Sequence, residues 1–153
     1  MESLAELHPF FVHFPVAFFV LYFLFEILSI YNTKFEQPVL IILACGVVTG
    51  VLSVLTGNQA ANIAAEIYKS KEIVYETVEN HEYYATLLLW YYFVILVLRY
   101  FLQLKKKLSK RNKIIFIIFS IIGLFILFQT GKIGNELVYK FGVGTIPGVE
   151  FQR

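Results

Sequence analysis

The sequence predicts an all-α integral membrane protein: a four-helix bundle forming one domain over residues 1–153, with both termini on the extracytoplasmic side. Three observations carry this. Hydrophobic residues make up 58% of the 153 positions and mean hydropathy is +0.70, more apolar surface than a soluble domain of this size can bury. The apolar residues gather into four runs, Pro9 to Tyr31, Pro38 to Gly57, Tyr83 to Leu104 and Ile114 to Gln129, each near the length that crosses about 30 Å of hydrocarbon at about 1.5 Å per residue. Between the third and fourth runs, KKKLSKRNK places Lys105, Lys106, Lys107, Lys110, Arg111 and Lys113 together, and loops rich in Lys and Arg stay in the cytoplasm.

Each element follows from its residues. The opening MESLAELHPF is acidic and lacks the basic leader of a cleavable signal, so the first run is expected to remain as a helix, with Pro9 favourable at its first turn and Pro15 removing a backbone donor. The short Asn32 to Gln37 turn falls on the cytoplasmic side by the same charge count. The 58–80 connection carries helical stripes, Ala60, Ile63, Ala64 and Ile67, then Val74, Val78, His81 and Ala85. It therefore reads as a helical outer hairpin turning near Lys69, Ser70 and Lys71. The fourth run needs its GKIG continuation to span, and a Gly-rich outer segment covers 130–153.

Composition excludes several function classes. The net charge of +2 gives no support to nucleic-acid binding, and topology already accounts for the basic loop. Cys45 is the single cysteine, which leaves no disulfide framework, no paired-cysteine zinc site and no C-x-x-C-H haem attachment; it reads as a small packing residue. The C-terminal glycines have neither G-x-G-x-x-G nor Walker spacing. No hydride-transfer or hydrolytic constellation is present.

The chemistry rests on histidine. His13 and His81 each sit near the outer end of an apolar run, and each is followed four residues later by alanine, Ala17 and Ala85. Ionisable residues at membrane depth mark functional sites, and two imidazoles facing one gap suit haem b as axial ligands, with electron transfer favoured because no coordination position stays open. The expected site comprises His13, His81, Ala17, Ala85, Gly50, Gly57, Tyr92, Gly131 and Lys132: small residues leave a slot for a flat ligand, Tyr92 donates to a cofactor or packs, and Lys132 meets its carboxylates. The glycine stripes serve equally for close helix packing. His8, beside Pro9, is expected to face water, with a propionate contact or a third metal-ligand role as alternatives. Glu26 and Arg99 fall at comparable depth in the opposite leaflet and are expected to form a structural ion pair.

The residues LHPFFVHFP, the Thr56-Gly57 pair, His81 opening an apolar helix and the closing pattern of Gly131, Gly134, Leu137, Val138, Tyr139, Gly142 and Gly144 resemble the bacterial four-helix membrane family called domain of unknown function 2231. Asn135 stands where that pattern has a second consecutive glycine. The resemblance implies the four-helix architecture and an envelope location, the bacterial inner membrane.

Three functions follow as expectations. The first is a membrane b-type cytochrome module passing electrons between a quinol or membrane reductase and an extracytoplasmic acceptor such as a cytochrome. The second is a Zn or Cu site built from His8, His13 and His81 and completed by Glu82 or water. The third is a cofactor-free subunit, homo- or hetero-oligomeric, that packs into a larger complex in the lipid bilayer.

Overall fold

The computed structural model describes residues 4–68 and 70–144, and these fold into helices joined by short turns. A 3₁₀ turn at Leu4–Leu7 leads into α1 (His8–Phe11), and α2 (His13–Tyr31) continues it after an irregularity at Val12. Pro15, lacking an N–H, cannot bond the carbonyl four residues back at Phe11, which accounts for the interruption. A second 3₁₀ turn (Thr33–Phe35) precedes α3 (Glu36–Ile67); α4 (Glu72–Leu104) and α5 (Lys110–Tyr139) follow. Four helical segments among the described residues are long and apolar enough to cross a membrane: Leu4–Tyr31, Thr33–Ile67, Glu72–Leu104 and Lys110–Tyr139.

The helices outrun the apolar runs that announced them. With 32 and 33 residues, α3 and α4 extend about 48–50 Å, well beyond about 30 Å of hydrocarbon. Their surplus forms the expected hairpin, with α3 ending at Ile67 and α4 starting at Glu72. A small core of Ala64, Val78 and Leu137 supports it, flanked by Ala61, Tyr68, Phe141 and Val143. Ile63 and Ile67 of the expected stripe are exposed. The expected glycine-rich segment is largely helix, because α5 runs through Gly131 and Gly134 to Tyr139; 145–153 lie outside the described residues.

The long helices form a ring in which α2 packs on α3, α3 on α4, α4 on α5 and α5 on α2. Phe19, Tyr22, Val39, Leu43, Leu88, Tyr92, Ile95 and Phe116 fill its centre. Outside, large side chains such as Leu24, Ile41, Val48, Trp90, Ile118 and Phe125 are exposed all round, the surface of a protein whose solvent is lipid.

The two helix pairs are internal copies of one another. A step of 73 positions carries His8 to His81, Phe19 to Tyr92 and Glu26 to Arg99; a step of 77 carries Gly46 to Gly123, Gly57-Asn58 to Gly134-Asn135 and Glu36 to Lys113. Partners under the first step meet across the centre. The Phe19 and Tyr92 rings stack with centroids 3.8 Å apart and 7° between planes, and Arg99 Nε donates to Glu26 Oε2 at 2.7 Å. Partners under the second step play one role twice, except Glu36 and Lys113, which pair with each other. A Cβ on Gly46 would come within 2.7 Å of the Phe19 ring, and one on Gly123 within 2.5 Å of the Tyr92 hydroxyl. Asn32 and Ser109 both cap the helical turn that follows them. This is a parallel repeat about an axis along the membrane normal.

Gly123→Ala therefore drives a methyl into a ring held by its stacking partner. We expect a loss of about 1–3 kcal/mol from overpacking, read by thermal unfolding in detergent.

One feature of the chain favours change. Helix α5 ends with Gly142 at φ 70°, its N–H on the Val138 carbonyl and that of Val143 on Leu137. Helix α4 ends in a tighter Schellman motif, Lys106 N–H on Gln103 and Lys107 N–H on Leu102, and there a lysine at φ 52° holds the position that favours glycine. Lys106→Gly is expected to stabilise the fold by about 0.5–1 kcal/mol, seen as a raised midpoint in the same unfolding assay.

Candidate imidazole site

Two imidazoles meet where the axis leaves the bundle, and they are His8 and His81. Their ring centroids are 6.5 Å apart with planes at 80°. His8 lies seven and eleven residues from the buried Pro15 and Phe19, about two and three turns away, so it shares the core face of the first span. Its Nδ1 is 3.0 Å from the Ser53 carbonyl and 3.2 Å from Thr56 Oγ1. A carbonyl only accepts, so Nδ1 carries the proton and the lone pair of Nε2 is left for another partner.

His81 repeats this arrangement one half of the molecule later. The backbone of Thr130, 77 positions on from Ser53, interacts with its ring. That contact falls short of a well-formed hydrogen bond, and Nδ1 of His81 is buried without a partner of good geometry. Each ring lies flush against a glycine of the neighbouring helix. A Cβ on Gly57 would be 2.9 Å from Cε1 of His8, and one on Gly134 would be 3.0 Å from Cε1 of His81. A side chain at either place would have to displace the imidazole from the helix backbone.

The structure does not bring His13 to His81. His13 lies nine residues before the fully buried Tyr22, two and a half turns, and so occupies the opposite face of its helix. It is exposed, with Nδ1 donating to the Pro9 carbonyl at 2.6 Å. Ala17, one turn further along that face, is exposed too. The H-x-x-x-A spacing shared by His13 and His81 thus points outward in one helix and inward in the other, where Ala85 is half-buried.

The remaining expected residues divide. Gly57 belongs to the site. Gly50 is buried one to two turns deeper, facing Leu89. Tyr92 lies three turns below His81, stacked on Phe19. Gly131 has nothing within 4 Å of a would-be Cβ, and Lys132 is exposed; Gly134 takes the place assigned to them. Glu82 is half-buried, and the Asn58 amide, turned to satisfy its neighbours, donates to Glu82 Oε1 at 3.2 Å and to the Val54 carbonyl at 3.0 Å. Among the described residues no group of three or more His, Cys, Asp or Glu gathers to hold a metal ion. Sequence reasoning gave His8 first as a water-facing residue and only as an alternative ligand, and it left Gly134, Ser53 and Thr130 out of the site. The signal was present as His-x-aromatic-aromatic twice, His8-Pro9-Phe10-Phe11 and His81-Glu82-Tyr83-Tyr84, followed in each half by Gly-Asn.

No curated protein and no solved structure matches the chain. The sequence profile of a family described as a predicted membrane protein, DUF2231, matches residues 5–147. With the four apolar helices just described, the chain belongs to that membrane-protein family.

Proposed function

We propose that the chain is a membrane electron-transfer module in which His8 and His81 would hold haem b. The spacing of the rings supports this above all. Two imidazoles that shared one metal through bonds of about 2 Å each, with the rings behind them, would stand apart by roughly the 6.5 Å between these centroids. Two protein ligands complete the shell of an iron that already has four porphyrin nitrogens, whereas a bare Zn²⁺ needs two further donors. That count favours haem over the Zn or Cu reading with His8, His13 and His81.

When bound, the group supplies one-electron chemistry without an open coordination position. The chain's own part is to fix the imidazoles. Ser53 orients the ring of His8 through Nδ1, the backbone of Thr130 does so less tightly for His81, and Gly57 and Gly134 set the rings against their helices. By the positive-inside rule the 105–113 loop is cytoplasmic. This puts the imidazoles near the outer face of a bacterial inner membrane, where a quinol or membrane reductase gives electrons and an extracytoplasmic cytochrome takes them.

The test is the absorption spectrum of protein purified in mild detergent from haem-replete cells, oxidised and then reduced with dithionite. A Soret band with sharp reduced α and β bands is expected. A folded, colourless preparation overturns the proposal, and elemental analysis of that sample then distinguishes a copper or zinc site from a cofactor-free subunit.

A further inference from the structure

The other end of the axis holds a buried polar cluster that the imidazole pair does not use. Glu26 and Arg99 have fully buried side chains, and a single bond, Nε to Oε2 at 2.7 Å, joins them. A guanidinium and a carboxylate usually close a two-point fork. Here Oε1 of Glu26 and Nη2 of Arg99 are both buried without a hydrogen-bond partner. So is the hydroxyl of Tyr22, which lies one turn before Glu26 on the same face and interacts electrostatically with Glu26 and Arg99. Deep in a bilayer, unpartnered groups of this kind are costly.

Two sets of polar contacts lie between this point and the basic-loop end, one hydrogen-bonded to the Arg99 side chain and the other ending on the Glu26 backbone carbonyl. In one, Arg99 Nη1 donates to Gln103 Oε1 at 3.0 Å, and Gln103 Nε2 donates to Gln37 Oε1. In the other, Glu36, 25% exposed, pairs with Lys113, 5% exposed, at 2.6 Å. Lys113 Nζ donates to the Ser29 carbonyl, and Ser29 Oγ donates to the Glu26 carbonyl, each at 2.7 Å. Toward the bundle centre the stacked Phe19 and Tyr92 rings end the polar path.

The geometry points to a water-binding site formed by Tyr22, Glu26 and Arg99 at the closed end of a hydrated half-channel that opens at the basic-loop end. The three free groups are one acceptor, one donor and one hydroxyl that does both, which matches a molecule that donates and accepts. Glu26 and Arg99 neutralise one another, so the site has no net charge to draw in a cation or an anion. The charges facing the site are Arg99 from α4, Lys113 from α5, Glu26 from α2 and Glu36 from α3, with the phenols of Tyr22, Tyr91 and Tyr92. They balance, so water and its exchangeable protons reach Glu26 without a net field to exclude them. The inference stands apart from the haem reading, since it uses none of the same residues.

Solid-state NMR with magnetisation transferred from water tests it, on the full chain labelled with ¹⁵N-arginine in a bilayer. The chain has three arginines, Arg99, Arg111 and Arg153, so Arg111→Lys with Arg153→Lys leaves the Arg99 guanidinium alone for assignment. Its signal is expected to build up as fast as that of exposed Arg111, and Tyr22→Phe, removing one of the three partners, is expected to slow it while Arg111 is unchanged. Build-up as slow as that of the buried backbone amide of Arg99 itself overturns the half-channel. Unaltered transfer in Tyr22→Phe overturns the three-point site.

Discussion

If His8 and His81 hold haem as proposed, His8→Ala or His81→Ala is expected to abolish its absorption bands, and His13→Ala to leave them intact. The size of the expected effect follows from ligand count: an iron held by two protein nitrogens loses half of its protein attachment with either one. Both rings are already fixed against glycines, so neither substitution asks the helices to move. His13 serves as the internal control, being a histidine of the same chain, five residues from His8 and on the outward face. Loss of the bands in His13→Ala with retention in His8→Ala would restore the pairing expected from the H-x-x-x-A spacing. Circular dichroism and monodispersity of each variant separate ligand loss from unfolding.

The second large effect lies in the Glu26–Arg99 pair. Arg99→Leu leaves a carboxylate at 0% exposure without its cation, and breaking a buried pair from one side costs about 3–5 kcal/mol. Glu26→Leu leaves the guanidinium equally stranded. The double variant Glu26→Leu with Arg99→Leu removes both charges together, and such replacements are often neutral or stabilising. We therefore expect each single variant to lose most of its folded yield and the double variant to regain it. Comparable losses in singles and double would mean that side-chain shape, rather than uncompensated charge, sets the cost.

What could be read from the sequence divides by physical cause. The existence of four spans was legible because hydropathy over 18 or more residues is a property of the chain itself. Their ends were not: Glu66, Glu72 and Glu79 lower the hydropathy beyond the hydrocarbon, while α3 and α4 continue through them on Ala64, Val74 and Val78. The Glu26–Arg99 pair was legible from matched depth. Spacing to an alanine pointed to His13, whereas rotational phase brings His8 to the side of His81. Pro15, Phe19, Tyr22, Glu26 and Ser29 define the inward face of α2, and only His8 is in phase with them. Lys113 was grouped with the surface lysines of its loop, yet it is buried because Ser29 and Glu36 receive it.

The repeat also bears on why the two halves are one chain. Residues on a two-fold axis of an association between identical hairpins meet copies of themselves. Two first hairpins would set Glu26 against Glu26, and two second hairpins Arg99 against Arg99. Only unlike halves bring carboxylate to guanidinium, so the pair acts as a mating code, favouring the mixed assembly over either self-assembly. Joining the halves through the Ile67 to Glu72 turn supplies each with its correct complement at high effective concentration. Positions facing across the axis are then free to diverge, as Phe19 and Tyr92 have. The histidines and glycines at the mouth are alike in both halves.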